Sequence, residues 1–218
     1  RRLSLNEWRG KFRMSESEDI VFSTGLRDLS ERHGLGISES AIEICLQHFR
    51  VLRRWNRVIN LIGDLSVESA VYRHYGESLF LASVLNPSFT RIADYGSGAG
   101  FPGIGIVALR PDVQVDLLEV RQKRIAFLRE ATRGLENVRV IGGPAEDYHG
   151  GFDAVTARAV DIGQILAFAV RHKVSAGLLI GAADAARWRD RLIGQGTHPE
   201  VFPVPWKPQS VVFVIDPF

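Results

Sequence analysis

Cysteine is nearly absent from this sequence, and so are long apolar runs. The single cysteine among 218 residues, Cys45, excludes an internal disulfide and a multi-cysteine zinc site, which is typical of a reducing cytoplasm. The longest apolar runs, such as 79–85 and 211–215, are far shorter than the roughly 20 residues of a membrane span. The chain does not begin with methionine and carries no recognisable secretory signal. We therefore expect a cytoplasmic protein with no membrane partner.

Histidine is too scattered to indicate a metal site. The six histidines show no two-ligand spacing, so we expect no bound metal. Hydrophobic residues make up 45% of the chain, which is enough for a sizeable core, and the formal net charge is only +2. Nothing in the composition indicates an oligomeric state.

The small net charge hides an uneven distribution of basic residues. No acid occurs from residue 47 to residue 60, and four arginines there, Arg50, Arg53, Arg54 and Arg57, have the spacing of one helix face. The opposite side carries Val51, Trp55, Val58 and Ile62. The basic face is solvated, or pairs with acids of N-terminal helices such as Glu16, Glu18, Asp19 and Glu31, or contacts RNA phosphates. A second basic group is a further candidate for RNA contact: Arg121, Lys123, Arg124 and Arg129.

The order of predicted elements divides the chain into a helical N-terminal extension, 1–89, and an α/β domain, 90–218. In the extension, Ser15 and Glu18 have the spacing of a capping box, Ser38 or Ser40 caps the arginine-rich helix, and Ser66 caps a helix running to Leu85. Strands are predicted near 90–95, 113–119, 137–142, 152–157 and 175–181, and helices near 102–110, 121–134, 161–173 and 184–193. This alternation predicts a mostly parallel sheet with right-handed crossovers. The last strands, 201–206 and 210–215, are joined by three residues, 207–209, which predicts an antiparallel hairpin.

A glycine-rich stretch follows the first of these strands. Residues 94–103 read Asp-Tyr-Gly-Ser-Gly-Ala-Gly-Phe-Pro-Gly, and a tight strand-to-helix turn alone seldom needs four glycines. Such a loop lets a ligand lie against bare backbone at the positive end of a helix. About twenty residues further on, Glu119 closes the second strand, where a carboxylate can accept hydrogen bonds from ribose hydroxyls. The two features together predict a nucleoside-containing ligand.

Two kinds of ligand compete for this loop. Residues 98–103 satisfy the Gly-x-Gly-x-x-Gly fingerprint of nicotinamide dehydrogenases, which is a weak signal when it stands alone. Asp94 at the strand tip argues against a dinucleotide, because its carboxylate would repel a pyrophosphate and attract the ammonium group of an amino acid. An amino acid joined to a nucleoside describes S-adenosylmethionine, which is therefore the expected cofactor.

Several further motifs accompany the glycine loop between about residue 46 and residue 160. They are Arg54-Trp-Asn56, Asn60-Leu61, Arg73-His74, Glu77-Ser-Leu79, Leu118-Glu119, Lys123-Arg124, Phe127-Leu128-Arg129, Pro144-Ala-Glu-Asp147 and Thr156-Ala-Arg-Ala159. With the loop, they resemble the motifs of the glucose-inhibited division protein B family, methyltransferases that act on guanine nitrogen-7 in small-subunit (16S) ribosomal RNA. This resemblance implies a Rossmann-like class I methyltransferase fold, the cofactor S-adenosylmethionine, and ribosomal RNA of the small subunit or its assembly intermediate as partner.

The resemblance also implies which residues bind the cofactor. Gly96 and Phe101 would contact it in the loop, Glu119 at the ribose, and Ala145 with Glu146 beside the adenine. Arg158, after the fourth strand, would face the crevice where ligands bind and is the candidate for a positioning role in catalysis. The full candidate set for the cofactor is Asp94, Gly96, Ser97, Gly98, Gly100, Phe101, Glu119, Val120, Ala145, Glu146 and Arg158.

The chemistry of the implied reaction matches the residues present. Guanine nitrogen-7 carries a lone pair and no proton, so methyl transfer to it needs no general base, and positioning can supply most of the acceleration. Cys45 is accordingly expected to be a buried structural thiol. The chain departs from the family where Ile180-Gly181 lacks the usual lysine, where Gln209-Ser210 lacks the usual arginine, and where Glu77 and Glu119 replace aspartate. The alternatives are a related methyltransferase for another RNA or a small molecule, and an RNA-binding protein without turnover.

Overall fold

The computed structural model describes residues 16–216, and the predicted capping box at Ser15 falls outside them. The helical part comprises α1 (Glu16–His33), α2 (Glu39–Ile59), α3 (Val67–Ser69), a π-helix (Ala70–Gly76) and α4 (Glu77–Val84). Ser38 begins α2 by accepting a hydrogen bond from the Ala41 N–H, as predicted for one of the two serines. Ser66 begins α3 in the same way, from the Ser69 N–H. None of the helices within residues 16–216 has the length and apolarity needed to cross a membrane.

From residue 91 onward, strands alternate with helices close to the predicted positions. The elements are β1 (Arg91–Tyr95), α5 (Gly103–Leu109), β2 (Gln114–Glu119), α6 (Gln122–Ala131), β3 (Val138–Gly142), a 3₁₀ turn (Ala145–Asp147), β4 (Ala154–Arg158), α7 (Ile162–His172), β5 (Ser175–Gly181), α8 (Ala182–Ile193), β6 (Glu200–Val204) and β7 (Lys207–Ile215). In the part of the chain described, seven strands form one sheet in the order β3-β2-β1-β4-β5-β7-β6. The first five are parallel, and β7 runs antiparallel to both β5 and β6. The predicted fold class is confirmed.

The C-terminal hairpin is present, but its turn is not where the sequence predicted it. Val204 pairs with Lys207, so the turn is Pro205-Trp206 and not residues 207–209. The pairing then shifts, with Pro203 opposite Val211, so that 208–210 bulge out of the β6–β7 ladder. Pro208 lacks an N–H and would weaken a regular ladder, but a bulge tolerates it. Pro208 therefore lies in an irregular part of β7 and not in the hairpin turn.

The buried core packs against both faces of the sheet. The predicted division near residue 89 falls in the link between α4 and β1, and one apolar cluster crosses it, joining Phe22 and Tyr75 to Phe101 and Phe127. A second cluster packs α7 and α8 against the other face. Cys45 is fully buried in the first cluster, and burial raises the pKa of its thiol, which supports the structural role expected for it.

The topology brings particular strand ends together at one edge of the sheet. Parallel strands end side by side, so Tyr95, Glu119 and Arg158 share the carboxyl edge. The antiparallel β7 begins at this same edge, because its residue Ser210 pairs with Gly181 at the end of β5. Residues that start β7 therefore join the functional edge, although they lie more than a hundred residues after the glycine loop.

Candidate functional site

The loop after β1 uses its glycines in two different ways. Gly96, Gly98 and Gly100 have φ values of 67°, 56° and 89°, a region that side chains rarely adopt. Gly96 and Gly98 line an open cleft. Gly100 faces inward, where an added Cβ would lie 2.9 Å from His48 Nε2, and a Cβ on Gly103 would lie 2.4 Å from a Leu117 methyl. At Gly100 and Gly103 the absence of a side chain therefore allows close packing. Contact of the Gly100 backbone with the cofactor stays a prediction.

The open cleft, called the loop cleft below, gathers many of the predicted site residues. It has a volume of about 290 Å³ and is lined by Leu61, Ile62, Arg73, His74, Gly96, Ser97, Gly98, Ala99, Phe101, Arg124, Arg158 and Ala159. Predicted candidates in this set are Gly96, Ser97, Gly98, Phe101, Arg124 and Arg158. The Phe101 ring is stacked on His74, with centroids 5.5 Å apart, and meets Tyr75 edge-on at 4.9 Å. These ring contacts join the glycine loop to the helical part of the chain.

Glu119 lies directly behind the loop and holds it in place. Its carboxylate is buried and accepts hydrogen bonds from the N–H groups of Gly98 (3.0 Å), Val120 (2.9 Å) and Arg121 (2.9 Å). The Arg124 guanidinium lies 3.6 Å from the same carboxylate. Glu119 thus stands at the predicted strand end, but the contacts in the structure are to the protein's own backbone and to Arg124.

Asp94 is placed differently from the prediction. Its side chain is fully buried behind the loop and accepts a hydrogen bond from the Gly103 N–H at 3.2 Å, while Thr156 Oγ1 lies 3.5 Å away. Burial raises the pKa of this carboxyl to about 7. A carboxyl with no exposed surface is not placed to receive a ligand ammonium, and it instead orients the first turn of α5.

Arg158 is held by a network that the sequence did not predict. Its guanidinium lies 3.3 Å from Glu77, a buried carboxylate whose other oxygen accepts a hydrogen bond from Lys207 at 2.9 Å. Arg158 also lies 3.4 Å from Nδ1 of His74, whose Nε2 is 2.9 Å from the Asp64 carbonyl oxygen. Since arginine can only donate and a carbonyl can only accept, Nδ1 is the acceptor and Nε2 carries the proton. Burial lowers the pKa of His74 to about 4, so this ring is neutral at physiological pH.

Two acids close to Arg158 in the sequence, Asp153 and Asp161, make other contacts. Asp153 accepts hydrogen bonds from the backbone of Thr90 and Arg91, and Asp161 begins α7 by accepting from the Gln164 N–H. Neither acid pairs with Arg158. The Arg158 side chain is 16% exposed and lines both the loop cleft and a second cleft beside it.

The second cleft, called the strand-end cleft below, extends past the ends of β4 and β5. It has a volume of about 260 Å³, and its lining includes Arg73, Glu77, Arg158, Ile180, Asp184, Lys207 and Ser210. The two clefts share Arg73, Arg158 and Ala159. Ile180 and Ser210 are positions where the resemblance implied a basic residue, and Lys207 reaches the same cleft from the start of β7.

The predicted adenine contacts lie to one side of the loop cleft. Ala145 and Glu146 form the 3₁₀ turn after β3, and Glu146 accepts a hydrogen bond from the Tyr95 hydroxyl at the end of β1. Val120 is exposed after β2. These residues share the carboxyl edge with the loop but are not part of the lining of the loop cleft.

The arginine-rich face of α2 carries ion pairs. Arg50 pairs with Asp19 and Arg53 with Glu18, so two of these arginines join α2 to α1. Arg54 pairs with Glu130 of α6, which also accepts the Trp55 Nε1–H. For Arg50 and Arg53, the geometry supports the alternative of pairing with acids of the N-terminal helices. Arg54 pairs with an acid of α6, which the sequence did not predict, and Arg57 also has an interaction within the protein.

Two details of this helix were also wrong. Val58, predicted on its apolar side, is 63% exposed, and Ile62 lies beyond the end of α2. In the second basic group, Arg121 and Lys123 are exposed at the start of α6, and Arg124 is half-buried in the loop cleft.

Sequence reasoning missed Arg73, His74, Glu77 and Lys207 as site residues. The first three belong to motifs that carried the family resemblance, but the sequence alone does not show that they turn toward Arg158. Lys207 had no signal, because its position depends on where the hairpin turns. Among residues 16–216, no group of three or more His, Cys, Asp or Glu side chains is arranged to hold a metal ion.

Comparison with known proteins identifies the family. The family model described as "GidB: rRNA small subunit methyltransferase G" matches residues 41–186. Curated relatives named "Ribosomal RNA small subunit methyltransferase G" include one from Nitrosospira multiformis, 40% identical over 141 residues, covering 63% of this chain and 64% of the relative. One from Neisseria gonorrhoeae is 40% identical over 131 residues, covering 58% and 62%. One from Hydrogenovibrio crunogenus is 33% identical over 150 residues, covering 67% and 68%.

Solved structures show the same fold at low sequence identity. The 23S rRNA methyltransferase ErmE superposes with a TM-score of 0.54 at 16% identity, covering 67% of this chain and 69% of that one. Aeropyrum pernix fibrillarin in complex with natively bound S-adenosyl-L-methionine has a TM-score of 0.52 at 17% identity, covering 66% and 75%. The match to the Nitrosospira and Neisseria relatives spans less than two thirds of their length. The chain belongs to the GidB family, the rRNA small subunit methyltransferase G family, whose model matches residues 41–186.

Proposed function

We propose that this chain is an S-adenosylmethionine-dependent methyltransferase that modifies nitrogen-7 of a guanine in 16S ribosomal RNA. The observation that carries the proposal is that the loop cleft and the strand-end cleft meet at Arg158. A methyl donor in the loop cleft and a nucleobase in the strand-end cleft would face each other there, as direct transfer requires. Membership of a family described by small-subunit rRNA methylation supports the same activity and substrate.

The residues of the loop cleft fit the proposed cofactor. Gly96 and Gly98 line the cleft with backbone alone, and a Cβ on Gly96 would lie only 3.2 Å from a Val160 methyl. A carboxylate offers about four lone-pair sites, so Glu119 retains accepting capacity for a ribose hydroxyl when Arg124 leaves its ion pair. Arg124 and Arg158 supply positive charge for the carboxylate of an amino-acid moiety. When bound, S-adenosylmethionine supplies an electrophilic methyl group on a sulfonium.

The task of the protein in this reaction is positioning. Guanine nitrogen-7 has no proton to remove, so the neutral His74 does not need to act as a base. His74 accepts a hydrogen bond from Arg158 and stacks on Phe101, and Glu77 neutralises the guanidinium from the other side. We therefore assign Arg158 the role of a fixed donor beside the boundary of the two clefts. A substrate in ribosomal RNA would place this activity in the cytoplasm, on the small subunit or its assembly intermediate.

The test is methyl transfer by the purified chain. Small-subunit RNA, both deproteinised and within the assembled particle, is incubated with S-adenosylmethionine, and its nucleosides are separated by mass spectrometry. The expected product is 7-methylguanosine in at least one of the two substrates, strongly reduced for Arg158→Gln and unchanged for Arg133→Gln, an exposed residue after α6. A product methylated at another atom would contradict the substrate, and no product with either substrate would contradict the activity.

A further inference from the structure

A third cleft lies on the same edge of the protein, beside the C-terminal hairpin. This hairpin cleft has a volume of about 530 Å³ and is lined by Asp64, Glu68, Tyr72, Arg73, Trp206 and Lys207, among others. Arg73 lines all three clefts, and Lys207 lines both the hairpin cleft and the strand-end cleft. The strand-end cleft, where the target base is proposed to bind, therefore adjoins the hairpin cleft, and Arg73 and Lys207 line both.

Basic side chains gather where these clefts meet. Arg158 and Lys207 share the buried carboxylate of Glu77. Asp184, which also lines the strand-end cleft, pairs with Arg187. Arg73 is exposed and takes part in none of the ion pairs of the described residues, so an RNA phosphate at the junction would supply its counter-charge.

The hairpin cleft itself has a different character. Tyr72 is 36% exposed. The indole of Trp206 is fixed by a hydrogen bond from its Nε1–H to the Tyr72 carbonyl oxygen at 2.9 Å, and its ring packs on His33 with centroids 4.8 Å apart. Asp64 and Glu68, which also line this cleft, would repel a phosphate but can accept hydrogen bonds from base N–H groups. Aromatic rings beside basic side chains are the means by which proteins hold unpaired bases.

We propose that the hairpin cleft is a binding site for a second, unpaired nucleotide of the RNA, next to the target guanine. Its base packs on Tyr72 and Trp206, and the phosphate between the two nucleotides lies at the junction, against Arg73 and Lys207. This inference rests on the proposed function, because it takes RNA as the substrate. It also assigns RNA recognition to the hairpin and not to the arginine-rich face of α2, because Arg50, Arg53 and Arg54 already have acidic partners.

The test compares intact and abasic RNA. Binding of a short single-stranded oligonucleotide, one guanine among adenines, is measured by fluorescence anisotropy, with an abasic residue placed on either side of the guanine. We expect one abasic position to weaken binding to the wild type roughly tenfold, the scale of one stacked base. Tyr72→Ala should bind the intact strand equally weakly and be insensitive to that abasic position, whereas Tyr72→Phe should behave like the wild type. The affinity of Tyr72→Ala for S-adenosylhomocysteine should be unchanged.

The phosphate is tested by salt dependence. Arg73→Gln and Lys207→Gln should each make the logarithmic salt slope for single-stranded RNA shallower by about 0.7, and Arg133→Gln should leave it unchanged. Equal losses on abasic substitution in the wild type and in Tyr72→Ala would overturn the proposal. So would a defect of Tyr72→Ala confined to the assembled particle, since the cleft would then contact a protein. Binding needs no turnover, so these results remain readable even if the wild type makes no 7-methylguanosine.

Discussion

Replacing Glu77 by glutamine tests the network that holds Arg158. The Glu77 side chain is 4% exposed and pairs with Arg158 and Lys207, whose side chains are 16% and 28% exposed. Lys207 can turn toward water when the carboxylate is lost, but Arg158 remains largely enclosed with its charge uncompensated. Removing one partner of a buried ion pair costs about 3–5 kcal/mol. Because glutamine keeps one acceptor oxygen and Lys207 can move, we expect a value near the lower limit, about 3 kcal/mol.

The assay is chemical denaturation, which measures the free energy of unfolding. A matched control is Glu39→Gln, since Glu39 and Arg27 form two hydrogen bonds of 2.7 Å but are exposed, and we expect little change there. In the double variant Glu77→Gln with Lys207→Gln, the combined loss should be smaller than the sum of the single losses, because one of the two stranded cations has been removed. If Glu77→Gln lowers the free energy of unfolding no more than Glu39→Gln does, then burial is not what determines how much the Glu77 ion pairs stabilise the fold.

Three further outcomes are expected. Burial raises the pKa of Asp94 to about 7, so its contribution to stability is complete below its unfolded pKa of 3.8 and is lost as pH rises through 7. Asp94→Asn should therefore gain stability relative to the wild type across that pH window, as measured by denaturation curves. A difference in unfolding free energy between the two proteins that does not change with pH would contradict this prediction. Glu119→Gln should weaken S-adenosylhomocysteine binding by about 1.5–3 kcal/mol in calorimetry, and an equal loss for an analogue without ribose hydroxyls would argue against ribose contact. Arg53→Gln should lower thermal stability through loss of the Glu18 pair while leaving the salt slope of RNA binding unchanged; a shallower slope would restore the RNA role of this face.

The fold was largely predictable because its signals are local. Five parallel strands and their helices follow from alternating apolar segments, and Ser38 and Ser66 follow from cap chemistry. The hairpin turn was misplaced because Pro208 is locally indistinguishable from a turn residue, and only the pairing of β7 with both neighbours shows that it lies in a bulge.

The site was predictable to the extent that it is made of backbone and strand ends. Glu119 and Arg158 stand where parallel topology puts them, and Gly96 and Gly98 line the cleft. Burial could not be read locally, so Asp94 was assigned to a ligand although the structure encloses it.

Long-range pairing was equally hidden from the sequence. Glu77 and Lys207 lie 130 positions apart in the chain and meet only through the antiparallel β7. The arginines of α2 look unneutralised within their own helix, and their partners on α1 and α6 are apparent only after packing.

The most direct test of the proposed activity is nucleoside mass spectrometry of small-subunit ribosomal RNA from cells that lack this protein. We predict that one 7-methylguanosine disappears, returns with the wild-type gene, and stays absent with Arg158→Gln. Retention of every 7-methylguanosine in the deleted strain, or return of the missing one with Arg158→Gln, would contradict the proposal.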